Sequence, residues 1–575
     1  MQLDNPLMIQ SDRTILLDVH APLAEECKMA LIPFSELERS PEHLHTYRLS
    51  SLSLWNAASS GVTTENVIAV LQKYTRYEIP PIIISWIKET ANRFGKIRLL
   101  PMENFDGNGS IDDGEERLLL QTESESIFKE IRAHKIMQKY LLPLENENSF
   151  MLFLTDRGTI KQELLKLGWP VKDEVPFDDG EPLEIFLRTK TLSGERLEVR
   201  DYQREAAKAL VGDKGPGTGF GTIVLPCGSG KTIVGMTIME MLKTNTLILT
   251  TNISAVHQWI EELKDKTNLT DEEIGEYTGE KKTIKPVTVA TYQVLTWRPD
   301  KVGSYPHFQI FRERAWGLII YDEVHLLPAP VFRVTAELQA VRRVGLTATL
   351  VREDGCEGYV FSLVGPKRYD VPWKELETSG WIANAECVEV RIDLDEKKEI
   401  EYAVGTQREK HRIASENPAK FNVVETLVKK HKEDKILIIG QYLKQLETIA
   451  RKLNVPIITG KTPNTERDVI YEQFRKGKIR VLVVSKVANF AIDLPDASMA
   501  IQVSGTFGSR QEEAQRLGRI LRPKERKSTF YTLITRNTVE EDFGTNRQKF
   551  LAEQGYAYRM IRNVEELEGG IKCIE

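Results

Sequence analysis

Thr222-Ile-Val-Leu-Pro-Cys-Gly-Ser-Gly-Lys-Thr232 reads as an apolar strand, a loop of small residues and the first turn of a helix. Thr222 to Leu225 is the strand and Pro226 to Gly230 the loop. Lys231-Thr232 opens an amphipathic run that reaches Leu242. The N–H groups of such a loop and of the helix N-terminus offer positive partial charge to a polyphosphate. Gly228, Ser229 and Gly230 would form the cradle. Lys231 would add a full charge near the β- and γ-phosphates, and the Thr232 hydroxyl suits Mg²⁺. Leu225 stands where the common pattern opens with Gly or Ala, so a plain tight turn stays open as an alternative until a second motif is found.

The second motif is Leu318-Ile-Ile-Tyr-Asp-Glu-Val-His325. A buried strand delivers Asp322 to its tip, where the carboxylate can hold Mg²⁺ through water. Glu323 is placed to polarise an attacking water. Two such strand ends in one predicted sheet describe an ATPase that uses ATP and Mg²⁺. Gly345-Leu-Thr-Ala-Thr349 puts two hydroxyls, Thr347 and Thr349, at another strand end, suited to linking hydrolysis to a second lobe; a polar strand end with no such role is the alternative. Gln515-Arg-Leu-Gly-Arg-Ile-Leu-Arg522 places Arg519 and Arg522 three apart on one helix face, where either could act as an arginine finger. Arg200 and Gln203 offer a guanidinium and an amide to an adenine edge.

These motifs lie in a chain of 575 residues, too long for one core. The net charge of −6 argues against a globally basic nucleic-acid binder, so any such surface must be a local patch. The five cysteines form no Cys-x-x-Cys pair, which excludes the usual zinc and disulfide frameworks and fits a reducing, cytoplasmic setting. No basic-then-apolar leader opens the chain, and no apolar run approaches a membrane span. The stretch from Asp106 imitates a calcium loop, but Ile111 and Arg117 stand where that loop requires Gly and Glu.

Apolar runs alternate with helical patterns from Val199 onward. They predict an α/β protein of two parallel-sheet lobes, preceded by small mixed α/β modules. The expected domains are an N-terminal module at 1–104, with short helices and a strand that suggest a winged helix; a small α/β module at 117–190; a first lobe at 196–366; and a second at 367–575. Between Gly405 and Lys432 there are seven Lys or Arg against three Glu, a locally basic insert within 400–432 or else a solvated helical face.

Together, Gly228-Ser-Gly-Lys-Thr232, Asp322-Glu-Val-His325, Thr347-Ala-Thr349 and Gln515 to Arg522 resemble superfamily 2 helicases. Val224-Leu-Pro-Cys-Gly228, Leu350-Val-Arg-Glu-Asp354 and Phe490-Ala-Ile-Asp-Leu-Pro495 narrow the resemblance to the XPB helicases of repair and transcription. It is strong from Val199 to Asn537 and looser over residues 1 to 100. The resemblance implies two RecA-like lobes and an ATP-driven 3′-to-5′ helicase or duplex translocase acting on duplex or fork-like DNA. It leaves room for a partner nuclease or repair proteins. It also implies an Arg-Glu-Asp element, here Arg352, Glu353 and Asp354; a thumb-like insert at about 400–432; and a damage-recognition-like module near 117–190, although no motif of that module is matched. His325, Thr347, Thr349, Asp493 and Gln515 would couple ATP to DNA. Without the long terminal extensions of eukaryotic members, a bacterial or archaeal build is expected. A translocase that never separates strands, and an ATP-switched scaffold with little turnover, are the competing readings.

Overall fold

The computed structural model describes residues 4–31, 33–39, 43–102, 117–144, 148–214, 218–226, 228–299, 305–327, 331, 341–348, 360, 363–371, 373–379, 385–485, 497–505, 528–544 and 558–562. The chain forms two compact units. One is Met1–Glu36, His43–Leu225 and Gly230–Asp370; the other is Val371–Glu575 with Leu37–Glu42 and Pro226–Ser229.

The first unit is built on seven parallel strands. They are β1 (Phe220–Val224), β2 (Thr246–Thr250), β3 (Ile274–Tyr277), β4 (Val287–Thr291), β5 (Leu318–Asp322), β6 (Arg342–Thr347) and β7 (Lys367–Asp370), in the order β3-β4-β2-β5-β6-β1-β7. Every residue of β1, β2, β4 and β6 is buried, which is why these strands read as continuous apolar runs. The sequence reading missed the two edges, β3 and β7. Ile-Gly-Glu-Tyr is buried along its length but carries Gly and Glu in place of an apolar run, and Lys-Arg-Tyr-Asp is only half-buried. Because Thr222, Ile223 and Val224 pair with Lys367, Tyr369 and Asp370, the first lobe extends through Asp370 and not to 366.

Ahead of this lobe lie two smaller modules. In the first, Thr14–Asp18 runs antiparallel between Leu7–Ile9 and Leu44–Arg48, beside helices Ala24–Leu31, Ser51–Ser59, Thr64–Tyr74 and Pro81–Ala91. The strand that would complete a winged helix, Ile97–Pro101, joins the next module instead. There it pairs with Arg117–Thr122 and Val171–Asp173 in a five-stranded sheet. The expected boundary at 104 therefore moves back to about Gly95, which ends its turn at φ 90°. Residues 178–198 are not part of the second module either. They form a strap along the lobe, with Leu183 N–H donating to Lys243 O, Arg188 N–H to Lys266 O and Glu181 N–H to Ala315 O.

A buried charged cluster joins these parts. The Arg157 guanidinium grips Asp173 through two hydrogen bonds, at 3.0 and 2.7 Å, and Lys161 Nζ adds a third at 2.8 Å. Arg157 stacks 4.7 Å from Phe177, Lys161 lies 5.2 Å from Phe220, Arg343 faces both rings and Arg368 faces Phe220. Burial would raise the Asp173 carboxyl, but Lys161 and Arg157 overcome it and hold Asp173 far below the usual carboxylate range. Burial in turn pulls Lys161 down to about 8 against the pull of Asp173. Arg368 on β7 donates to the carbonyls of Phe220 and Ser59, and Ser60 Oγ donates to Lys367 O, so the first module is tied to the same edge.

His45 lies in the strand Leu44–Arg48, 9% exposed, and its Nδ1 is buried without a hydrogen-bond partner. Burial, helped by Lys28, pushes its pKa down to about 4. The unfolded chain takes up this proton near pH 6.5 and the folded chain does not. The stabilisation is thus complete above pH 6.5 and is lost as the pH falls toward 4, with about 2 kcal/mol gone by pH 5. Urea unfolding at pH 7 and pH 5 should show this loss in the parent, and a smaller one in His45→Phe. An equal loss in both proteins excludes His45 as its source.

The second unit repeats the architecture. Its strands β8 (Ala385–Ile392), β9 (Ile436–Gly440), β10 (Ile457–Ile458), β11 (Val481–Ser485), β12 (Met499–Gln502), β13 (Ser528–Thr535) and β14 (Tyr558–Ile561) run parallel in the order β10-β11-β9-β12-β13-β8-β14. Within the stretch 400–432, the helix Lys420–Lys430 is a core element. Val423, Val424, Leu427 and Val428 pack with Ile436, Ile438 and Leu446, and the fully buried Lys420 ammonium meets Glu540 at 2.8 Å. The helix Lys420–Lys430 thus gives one face to the core of this lobe, and the helices Glu396–Val404 and Gln407–Ser415 precede it.

Candidate nucleotide site

β6 lies between β5 and β1, so three neighbouring strands deliver the site residues to one edge. The turn after β1 carries Gly228 at φ 80° and Gly230 at φ 81°, a left-handed conformation that favours glycine and aims successive N–H groups inward. Ser229 is buried, with its hydroxyl on Pro226 O at 2.7 Å. The helix Lys231–Leu242 follows directly, with Gly230 as its N-cap and Thr232 in its first turn.

Lys231 Nζ stands 3.6 Å from Glu323 Oε1. Glu323 is held at φ 50°, unusual for a residue with a side chain, in the turn between β5 and a short 3₁₀ segment, Val324–Leu326. Its side chain is 24% exposed, while Oε2 is buried and makes no hydrogen bond. His325 Nδ1 lies 3.5 Å from that Oε2 and 2.7 Å from Thr347 Oγ1 at the end of β6. Leu225 N–H donates to Thr347 O at 2.9 Å, which closes the circuit back to the phosphate loop. Burial works to raise the Glu323 pKa, but Lys231 and His325 outweigh it and keep the carboxylate below its usual range.

Asp322 ends β5 with both carboxylate oxygens engaged. Trp259 Nε1–H donates to Oδ2 at 2.9 Å, and the Glu323 N–H donates to Oδ1 at 3.1 Å. The Tyr292 hydroxyl holds the Asp322 backbone carbonyl at 3.0 Å. Burial and the adjacent Glu323 charge push Asp322 up to about 6. A buried carboxylate raised in this way, with Lys231 and Glu323 among its charged neighbours, is chemistry that a divalent cation would satisfy.

Gln203 is buried. Its Oε1 accepts from Arg200 N–H at 3.0 Å, and a Cβ on Gly230 would come within 2.5 Å of its Nε2. The amide therefore braces the loop as well as its own helix start. Arg200 Nη1 donates to the Tyr202 hydroxyl at 3.1 Å. The structure thus gathers Lys231, Asp322, Glu323, His325 and Thr347, and sets Gln203 against Gly230. Thr349, Arg352, Glu353, Asp354, Asp493, Gln515, Arg519 and Arg522 lie outside the described residues. Trp259 and Tyr292 went unnoticed in the sequence. The available signal was that a buried indole or phenol must place its polar atom on a partner.

A phosphate loop and an Asp-Glu-Val-His turn at the ends of nearby parallel strands, in a chain with a second lobe of the same build, define an ATP-hydrolysing motor of the helicase class. Three family models match the chain. These are the ERCC3/RAD25/XPB C-terminal helicase over residues 376–573, the res subunit of type III restriction enzymes over 196–352, and a helicase conserved C-terminal domain over 7–145. The last covers the two small modules and not a parallel lobe. A protein of Kineococcus radiotolerans called DNA 3′-5′ helicase XPB is 48% identical over 570 residues, covering 99% of this chain and 98% of that protein. Its namesake in Mycobacterium tuberculosis is 47% identical, over 98% of this chain and 99% of that one. In Schizosaccharomyces pombe, the general transcription and DNA repair factor IIH helicase/translocase subunit XPB is 31% identical, over 98% of this chain and 77% of its own. The chain belongs to the XPB family of helicases.

Proposed function

We propose that this protein is an ATP-dependent DNA helicase of 3′-to-5′ polarity that opens duplex DNA in repair. The observation that carries this reading is the linked set Lys231, Glu323, His325 and Thr347, beside Asp322, in a chain similar over its whole length to proteins named DNA 3′-5′ helicase. Thr232 and Asp322 would hold Mg²⁺, which neutralises phosphate charge. Lys231 would bind the phosphates. Glu323 would accept the proton of the attacking water, and it is suited to this because its carboxylate stays ionised at neutral pH. His325, bridging Glu323 and Thr347, would report the state of the base to the end of β6. Arg519 and Arg522 are our candidates for the charge supplied from the second lobe. The domain assignment we favour is two small modules to about residue 176, a first lobe to Asp370 and a second lobe beyond it. Among the described residues no helix is long and apolar enough to cross a membrane.

The test is ATPase with and without DNA, run beside strand displacement and triplex displacement. Stimulation by DNA together with strand displacement is expected. Triplex displacement alone would leave a translocase. The Arg352-Glu-Asp354 element supplies a finer prediction. Two carboxylates repel a phosphate backbone while an arginine grips it, a mixture that suits a wedge. Changing all three to Ala should leave DNA-stimulated ATPase within a few-fold of the parent while strand separation falls sharply. Parental unwinding rates in this variant exclude the wedge.

A further inference from the structure

We propose that Trp259 is a positioning residue for the metal-holding carboxylate, and that its indole N–H keeps the Asp322 side chain in place for the cation. This rests on the reading of Asp322 as a Mg²⁺ residue. Trp259 lies on the helix Ile253–Lys266, which presents Val256, Trp259 and Leu263 to the core at spacings of three and four. Only 3% of Trp259 is exposed, so its N–H must find an acceptor inside the protein, and the acceptor is Asp322 Oδ2 at 2.9 Å.

The choice of an indole matters. An indole N–H only donates and does not titrate, so it cannot reverse the bond as a hydroxyl can. It favours the carboxylate as an acceptor and restrains its rotation. The Tyr292 hydroxyl holds the Asp322 backbone carbonyl, and the Glu323 N–H holds Oδ1 on the near side of the carboxylate. Trp259 is therefore the bond that sets the far side of the carboxylate group, and each oxygen keeps a second lone pair for a ligand.

The ring is itself wedged. A Cβ on Gly235 would lie 2.8 Å from Trp259 Cη2, with Ile320 Cδ1 and Leu346 Cδ1 at 3.5 Å. Gly235 belongs to the helix that begins at Lys231, and Ile320 and Leu346 to β5 and β6. The indole thus spans from the phosphate-loop helix to the Asp322 carboxylate. A side chain at residue 235 would push the ring and, through it, the carboxylate.

Trp259→Phe keeps a flat ring and removes the donor. With a non-hydrolysable ATP analogue present, Mn²⁺ binding followed by electron paramagnetic resonance should weaken about tenfold, the lower end of what support of a metal ligand is worth. The Mg²⁺ midpoint for hydrolysis should rise by a similar factor, while KM for ATP at saturating Mg²⁺ changes little. A packing role alone would lower the melting temperature and leave the Mn²⁺ affinity unmoved. Gly235→Ala keeps the indole and displaces it, and should weaken Mn²⁺ in the same direction; it decides the matter if Trp259→Phe does not fold. Asp322→Asn separates the two failures. If Asp322→Asn weakens Mn²⁺ but Trp259→Phe and Gly235→Ala do not, the positioning role is wrong and the metal residue stands. If Asp322→Asn has no effect on Mn²⁺, the metal assignment itself falls.

Discussion

Lys231→Ala should lower ATP turnover at least about 100-fold, because it removes a full charge from the phosphate-binding loop where charge-assisted bonds count most. The structure adds a second effect. Lys231 is also the neighbour that holds the Glu323 carboxylate below its usual pKa. Once the ammonium is gone, burial acts on Glu323 unopposed on that side and its pKa rises. The residual activity should therefore fail at a higher pH than the parent's as solutions are made more acid. Single-turnover hydrolysis from about pH 3.5 to pH 8, which takes in the region below the ordinary carboxylate range, reads both effects. Near-parental turnover would overturn the site assignment. Low turnover with an unshifted acid limb would mean that Glu323 is not the group being titrated.

Glu323→Gln should bind Mg²⁺ and ATP at least as well as the parent and hydrolyse ATP about 10²- to 10⁴-fold more slowly, the usual worth of a general base. Gln has nearly the same shape and can occupy the same left-handed turn, so the β5–Val324 connection is kept. Losing the charge also relieves Asp322, whose carboxyl is raised in part by Glu323. Asp322 is then ionised over a wider pH range, which is why binding should hold or tighten. Nucleotide affinity and single-turnover rate measured on one preparation separate the two. Loss of binding would make Glu323 structural and place the base elsewhere.

Most of this site was legible because both motifs sit where the chain has no freedom. Buried parallel strands force apolar runs, and the functional residues follow in the turn beyond each run, Asp322 at the end of β5 and Lys231 after the short loop that follows β1. The apolar runs Thr246–Thr250 and Val481–Ser485 coincide with β2 and β11 residue for residue, and the runs Val287–Ala290, Leu318–Tyr321 and Arg343–Leu346 stop one residue short of the ends of β4, β5 and β6. What escaped were strands defined by their neighbours. β3 is a four-residue edge with Gly and Glu in it, while β7 pairs with β1 and β14 with β8, partners distant in sequence. The Lys420–Lys430 helix misled for a different reason. Charge counting cannot tell a lysine bound for solvent from one that meets Glu540, 120 residues away, inside the lobe. Trp259 was missed in the same way: its partner lies 63 residues further along the chain.

The charged cluster around Asp173 has a kinematic consequence. Arg157 and Lys161 come from the second small module, Arg343 from β6, and Arg368 from β7 with its grip on Ser59. A flexible tether would let the front of the chain swing as a pendant. Here buried pairs and stacked rings tie it to the ATP-binding lobe, and the strap at 178–198 is bonded along that lobe through its backbone. Load borne by the first 176 residues would act on β1, β6 and β7, of which β1 leads into the loop before Lys231. The front modules and the phosphate loop's own helix share one frame of reference, so displacement of the one is displacement of the other.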